Sequence, residues 1–145
     1  MGEKPFISIG ETYFHRFQSS KSHILTPPDA LVKLIVVIPS FNEPKLIESV
    51  KSLCVCDIPK NCAIEIIVVV NHPLDASSAI VKLSKQNLID LGKIQPNKRI
   101  QIHCIYANDL NPKFAGVGWA RKIGMDEALR SCLLYTSPSP RDKTV

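Results

Sequence analysis

Apolar positions along the chain follow two different periods. Leu34-Ile35-Val36-Val37-Ile38 and Ala63-Ile64-Glu65-Ile66-Ile67-Val68-Val69-Val70 are nearly continuous runs rich in β-branched residues. Arg99-Ile100-Gln101-Ile102-His103-Cys104-Ile105-Tyr106 alternates. Continuous runs of this length suit strands covered on both faces, and alternation suits a strand with one wetter face. The pattern predicts strands over 33–39, 63–70 and 99–106. Between and after them the spacing becomes helical. Leu46, Ile47, Val50, Leu53 and Cys54 predict a helix over 43–54, and Ile80, Leu83, Leu88 and Leu91 predict another over 75–91. A third is expected over 115–130. Asn42 and Asp75 are placed to cap the first two, Pro44 suits a first turn, and Gly92 suits the position just past a helix end. Pro39 and Asn71-His72-Pro73 close the first two strands, and 57–61, 93–99 and 107–114 are left as loops.

Three strand–helix units in tandem predict an α/β fold, a Rossmann-like parallel sheet with flanking helices and right-handed crossovers. Open sheets of this kind bind ligands beyond the carboxyl ends of their strands, which directs attention to the turn Ser40-Phe41-Asn42-Glu43. Residues 1–30 have only weak periodicity, with Phe6, Ile7, Ile9, Tyr13, Phe14 and Phe17 ahead of Pro27-Pro28, and are read as an N-terminal arm. Residues 31–131 form the domain proper.

Composition narrows the class. With 145 residues, 45% hydrophobic and 21% charged, one soluble globular domain with a real core is expected. The net charge is +5, but the basic residues are scattered, with no stripe or motif of a nucleic-acid binder. A mild basic excess favours phosphate-bearing ligands. The five cysteines are odd in number and lack C-x-x-C spacing, so buried, reduced thiols are expected. Cys54, Cys56 and Cys62 have the wrong spacing for the usual zinc knuckles. No apolar run approaches the roughly 20 residues of a membrane span, and no signal layout opens the chain, so a cytoplasmic protein is expected; membrane association of the parent, for instance through residues 1–30, stays open as an alternative but is not indicated.

Three motifs carry a resemblance. Val36-Val37-Ile38-Pro39-Ser40-Phe41-Asn42-Glu43, Glu65-Ile66-Ile67-Val68-Val69-Val70-Asn71 and Ala115-Gly116-Val117-Gly118-Trp119-Ala120-Arg121-Lys122-Ile123-Gly124 occur in this order. Together they resemble the family 2 glycosyltransferases, over about residues 33–130. The resemblance implies the amino-terminal, nucleotide-binding half of a GT-A type fold, and transfer of a sugar from a nucleotide diphosphate sugar to an acceptor. It implies that Pro39, Ser40 and Phe41 line the base, that Glu43 lies near the ribose, that Asn71 reads the base edge, and that Arg121 faces the nucleotide or its diphosphate. A divalent metal, Mg or Mn, is expected in the full-length parent. The family's Asp-x-Asp follows the arginine helix and one more strand; Asp109-Leu110-Asn111 comes before that helix. The Asp-Asp-Gly-Ser type turn is replaced by Asn71-His72-Pro73-Leu74-Asp75, and Lys122 stands at the family's asparagine. The 145-residue chain itself is therefore expected to be inactive. The alternative is a non-catalytic nucleotide-binding or partner-docking α/β module.

Other signals are weaker. Gly116-Val117-Gly118 lacks the third glycine of a dinucleotide fingerprint and follows the wrong strand. Its small residues, with Val117, Ala120, Gly124 and Ala128, predict a stripe for close helix packing. Arg121 and Lys122, on spacing alone, belong to a solvated helix face. His103 is expected to be a satisfied structural residue, whereas His72, at a strand end, is a candidate to face a ligand. Ser40 lacks the Gly-x-Ser-x-Gly setting of a hydrolase. The stretch Cys132 to Asp142 resembles the in-frame translation of a sequencing-library adapter. On that resemblance residues 132–145 are a non-native tail that continues neither helix nor sheet, and the gene was cut short near Ser131. Removing Arg141, Asp142 and Lys143 leaves a charge of +4. The alternative is a genuine Ser/Pro-rich tail.

Overall fold

The computed structural model describes residue 24 and residues 31–114 and 116–136, with the side chains of 114 and 132–136 excepted. The N-terminal arm, apart from Ile24, and residues 137–145 lie outside the described residues. The element order is β1 (Val32–Ser40), α1 (Leu46–Cys54), β2 (Ala63–Pro73), α2 (Ser78–Gly92), β3 (Ile100–Leu110), a 3-10 turn (Pro112–Phe114) and α3 (Val117–Thr136). The three strands are parallel in the order β1-β2-β3, so the expected α/β parallel sheet is present. β2 is the central strand and buries Glu65 to His72 without a break.

Two apolar layers cover the sheet. On one face Ile66, Val68, Val70 and Ile100 pack with Leu46 and Val50 of α1 and Leu91 of α2. On the other face Ile67, Val69, Ile105 and Ala107 pack with Ala120, Ile123 and Ala128 of α3, and Ile24 joins this layer. The stripe of small residues works at Gly124. A Cβ there would collide with the Val37 side chain and come within 3.1 Å of Val69 Cγ2, so the helix backbone rests directly on β1 and β2. Gly116 and Gly118 face open space and Val117 is exposed, so they take no part in that approach. α3 runs antiparallel to β1, since Gly124 lies on Val37 while Met125 and Leu129 lie beside Val32 to Ile35.

Several boundaries differ from expectation. Asn42 does not cap α1. It occupies the left-handed region at φ 50°, and the Glu43 carboxylate instead accepts the Lys45 N–H at 2.8 Å, so the helix starts at Leu46. Asp75 does not cap α2; Ser77 Oγ accepts the Ile80 N–H, and Gly92 is the last helical residue rather than the one beyond it. β2 and β3 run three or four residues past their expected ends because each completes the other's ladder, to Asn71↔Ala107 and Pro73↔Leu110. α3 continues through Thr136, into the stretch expected to break it. Leucines are good helix formers, and the first breaker is Pro138, which disfavours helical geometry at the residue before it. The cysteines Cys54, Cys56, Cys62 and Cys104 are free but not buried: Cys56 and Cys104 are exposed and the others half-buried. Cys54, the last residue of α1, packs at the margin of the layer under α1 and α2, Cys56 and Cys62 lie in the loop before β2, and Cys104 lies on β3, none of them in the buried core. No helix of the described residues is long and apolar enough to cross a membrane.

Candidate functional site

The carboxyl ends of β1 and β2 lie side by side, with Pro39 beside Val69 and Ser40 beside Val70. This register sets Ser40, Phe41 and Asn71 at one end of the sheet, Ser40 on the face of Val70 covered by α1 and α2, and Asn71 on the face of Ala107 covered by α3. Ser40 is 3% exposed and its Oγ has no hydrogen-bond partner. Leaving a buried hydroxyl unpaired costs about 1–3 kcal/mol, so such a group at a strand end is suited to an outside partner. Phe41, on the turn that follows, leaves 43% of its surface in solvent. An exposed ring beside a buried polar group offers a flat ligand a stacking surface. Asn71 is fully buried at the end of β2.

The turn is held from below. The Glu43 carbonyl accepts Asn87 Nδ2 of α2 at 3.0 Å and the Leu46 N–H at 3.4 Å. Glu43's own carboxylate is folded back on the Lys45 N–H, so its position at the rim is set by the first turn of α1. The next residue of β2 is fixed as well. His72 is buried, its Nδ1–H donates to the Pro73 carbonyl at 2.8 Å, and its Nε2 accepts from the Tyr106 hydroxyl at 2.7 Å. The carbonyl can only accept, which sets the tautomer. The two rings meet edge to face, 5.4 Å between centroids. Burial pushes the Tyr106 phenol above its ordinary range and keeps it a donor. His72, the candidate ligand-facing histidine, therefore spends both ring nitrogens inside the fold. It holds the strand end on which Asn71 sits.

Arg121 lies on α3, three residues before Gly124, about 4.5 Å along the helix toward the carboxyl end of the sheet. It is exposed and makes no ion pair among the described residues. Lys122 differs from the expected solvated residue. It is half-buried, pairs with the buried Asp126 at 2.7 Å, and lies 5.5 Å from the centre of the Trp119 ring. Of the six predicted site residues, the fold sets Pro39, Ser40, Phe41 and Asn71 at one strand end, with Ser40 on the opposite face of the sheet from Pro39 and Asn71, puts Glu43 on the rim, and leaves Arg121 on the neighbouring helix. Among the described residues no three His, Cys, Asp or Glu side chains converge into a set that could hold a metal. Asp109 is exposed near the end of β3 and gathers no partners of that kind.

Buried charge was not legible beforehand. Glu65 is completely buried and its two oxygens have no hydrogen-bond partner; His103 Nε2 is 3.5 Å away. His103, expected to be satisfied, has no hydrogen bond to Nε2, because 3.5 Å across the strands is too long for a good one. Glu127 on α3 is buried and paired with Arg130 at 2.6 Å. The chain matches no family profile, no curated protein and no solved structure.

Proposed function

We propose that this chain is the nucleotide-binding part of a glycosyltransferase that uses a nucleotide diphosphate sugar. The observation that carries this reading is the buried, unpartnered Ser40 hydroxyl beside the exposed Phe41 ring at the carboxyl end of a parallel sheet. Open α/β sheets hold ligands at this place. The three motifs that resemble family 2 glycosyltransferases supply the rest of the support. Phe41 stacks on the base, Ser40 donates to its polar edge or to the ribose, and Asn71 bears on the base edge. The Arg121 guanidinium approaches the diphosphate, for which its fork of donors is suited.

In sugar transfer, negative charge grows on the departing diphosphate, and cationic donors held in place stabilise it. Arg121 is the group in this chain that bears on that charge. Among the described residues none fit a Mg or Mn site. On this reading the 145-residue chain binds nucleotide without turning over donor, and the sequence expectation of a cytoplasmic protein is kept as part of the proposal. The test is titration with nucleoside diphosphates of each base, followed by amide chemical shifts. Shifts at Ser40, Phe41 and Asn71, weakened about tenfold or more by Phe41→Ala, are the expected result. No binding at millimolar nucleotide sinks the reading. Binding by this chain, combined with no sugar transfer by any longer protein containing it, favours the non-catalytic module instead.

A further inference from the structure

We propose that Glu65, Gln101 and His103 form a binding site for a divalent cation of the zinc class, held between β2 and β3 on the α3 side of the sheet. The three side chains share one face. Glu65 lies on the face of Ile67 and Val69, and Gln101 and His103 on that of Ile105, the layer that α3 covers. Register sets Gln101 directly beside Glu65, and His103 beside Ile67, two residues further on. The cluster sits at the amino end of the sheet, about 20 Å along β2 from Asn71, and does not rest on the nucleotide reading.

The donor atoms are sealed and unpartnered. Both Glu65 oxygens, Gln101 Oε1 and His103 Nε2 are closed to solvent and have no hydrogen-bond partner. Because they are already closed off, the site does not depend on a surface that further chain would cover. Buried polar atoms are nearly always paired, so a patch of them points to something bound in their midst. The three oxygens can only accept, which calls for a cation or a donor. Charge says the same. Glu65, Asp126 and Glu127 are all buried. Asp126 takes Lys122 and Glu127 takes Arg130, whereas among the described residues no lysine or arginine pairs with Glu65. A buried carboxylate left so is costly unless positive charge meets it. Distance selects the metal. His103 Nε2 and Glu65 Oε1 are 3.5 Å apart, long for a hydrogen bond. Two ligands of a tetrahedral zinc ion, each about 2.0–2.2 Å from the metal, stand roughly 3.4 Å apart. An imidazole nitrogen beside carboxylate and amide oxygens suits zinc or cobalt better than Mg or Mn, which take oxygen ligands. The third donor is an amide, so no triple of His, Cys, Asp or Glu marks the place among the described residues. A bound cation ties β2 to β3 and neutralises the charge on this face.

Titration of the full chain with Zn2+, and with Co2+ as a visible probe, tests this. The expected result is saturation at one ion per chain, a tetrahedral Co2+ absorption band, a raised melting temperature and movement of the His103 ring signals. His103→Gln and Gln101→Ala are each expected to weaken binding about tenfold or more. Gln101 is half-buried, so its variant reads the site even where His103→Gln fails to fold. The Cys54→Ser/Cys56→Ser double variant, with Cys54 on the opposite face, is expected to bind as the parent chain does. A chain that takes up neither ion at millimolar concentration overturns the proposal. So does binding that the cysteine variant abolishes or that Gln101→Ala leaves unchanged, because the ion then sits elsewhere.

Discussion

At the scale of single residues, shape decides the sign of effects that propensity alone would misjudge. Gly124→Ala in an isolated helix would stabilise by about 1 kcal/mol. Here the added methyl meets Val37 and Val69, so α3 must lift from the sheet, and a net loss of about 1–3 kcal/mol is expected. Urea unfolding with an unchanged slope checks it. Glu65 is the second case. Its carboxylate is buried without a hydrogen bond, facing His103. Removing one partner strands the other, whereas replacing both with apolar residues removes the problem. The Glu65→Leu/His103→Leu double variant is therefore expected to be more stable than His103→Leu alone by about 1–4 kcal/mol, read from a double-mutant cycle. The sequence displayed Glu65 only as a polar letter in an apolar run. Nothing in a period of two distinguishes a carboxylate that snorkels out from one sealed under a helix.

At the scale of elements, local chemistry sets the ends and neighbouring elements revise them. Ser77 and Asp75 are both credible caps for α2, and only the backbone path shows Ser77 in the capping position. Ser77→Ala is expected to cost about 1 kcal/mol and Asp75→Ala to cost nothing measurable in the same denaturation experiment. The ends of β2 and β3 are tied by the His72–Tyr106 hydrogen bond. Tyr106→Phe leaves a buried ring nitrogen without its donor, and a loss of about 1–3 kcal/mol is expected. The same change is expected to broaden the Asn71 amide signal, because the strand end loses its anchor. Alkaline pH acts on these elements too. Desolvation of the sulfur pushes the thiols of Cys54 and Cys104 upward, Cys104 leaving other parts of the residue in solvent, with the nearby Cys56 adding to the rise at Cys54; desolvation likewise raises the phenol of Tyr106. Below the ordinary thiol value these groups are neutral in both states. Above it the unfolded chain releases protons first, so stability is expected to fall as pH rises past about 8.5, seen as a decreasing melting temperature.

At the scale of the whole molecule, the placement of α3 is decisive. α1 and α2 cover one face of the sheet, while α3 crosses to the other and rests on β1 and β2. That placement puts Arg121 on the α3 side of the sheet, about one helical turn from Gly124 toward the carboxyl ends of the strands. The three strands, their parallel α/β arrangement and the strand-end turn were legible from the residues alone, because β-branched runs and helical spacing are local and survive without tertiary context. Motif order pointed to Pro39, Ser40, Phe41 and Asn71. Which face each helix covers, that His72 is used up internally and that Glu65 is sealed in emerged only in the folded chain. Those outcomes depend on contacts between residues far apart in the chain, and hydrophobic periodicity says that a face is buried without saying against what.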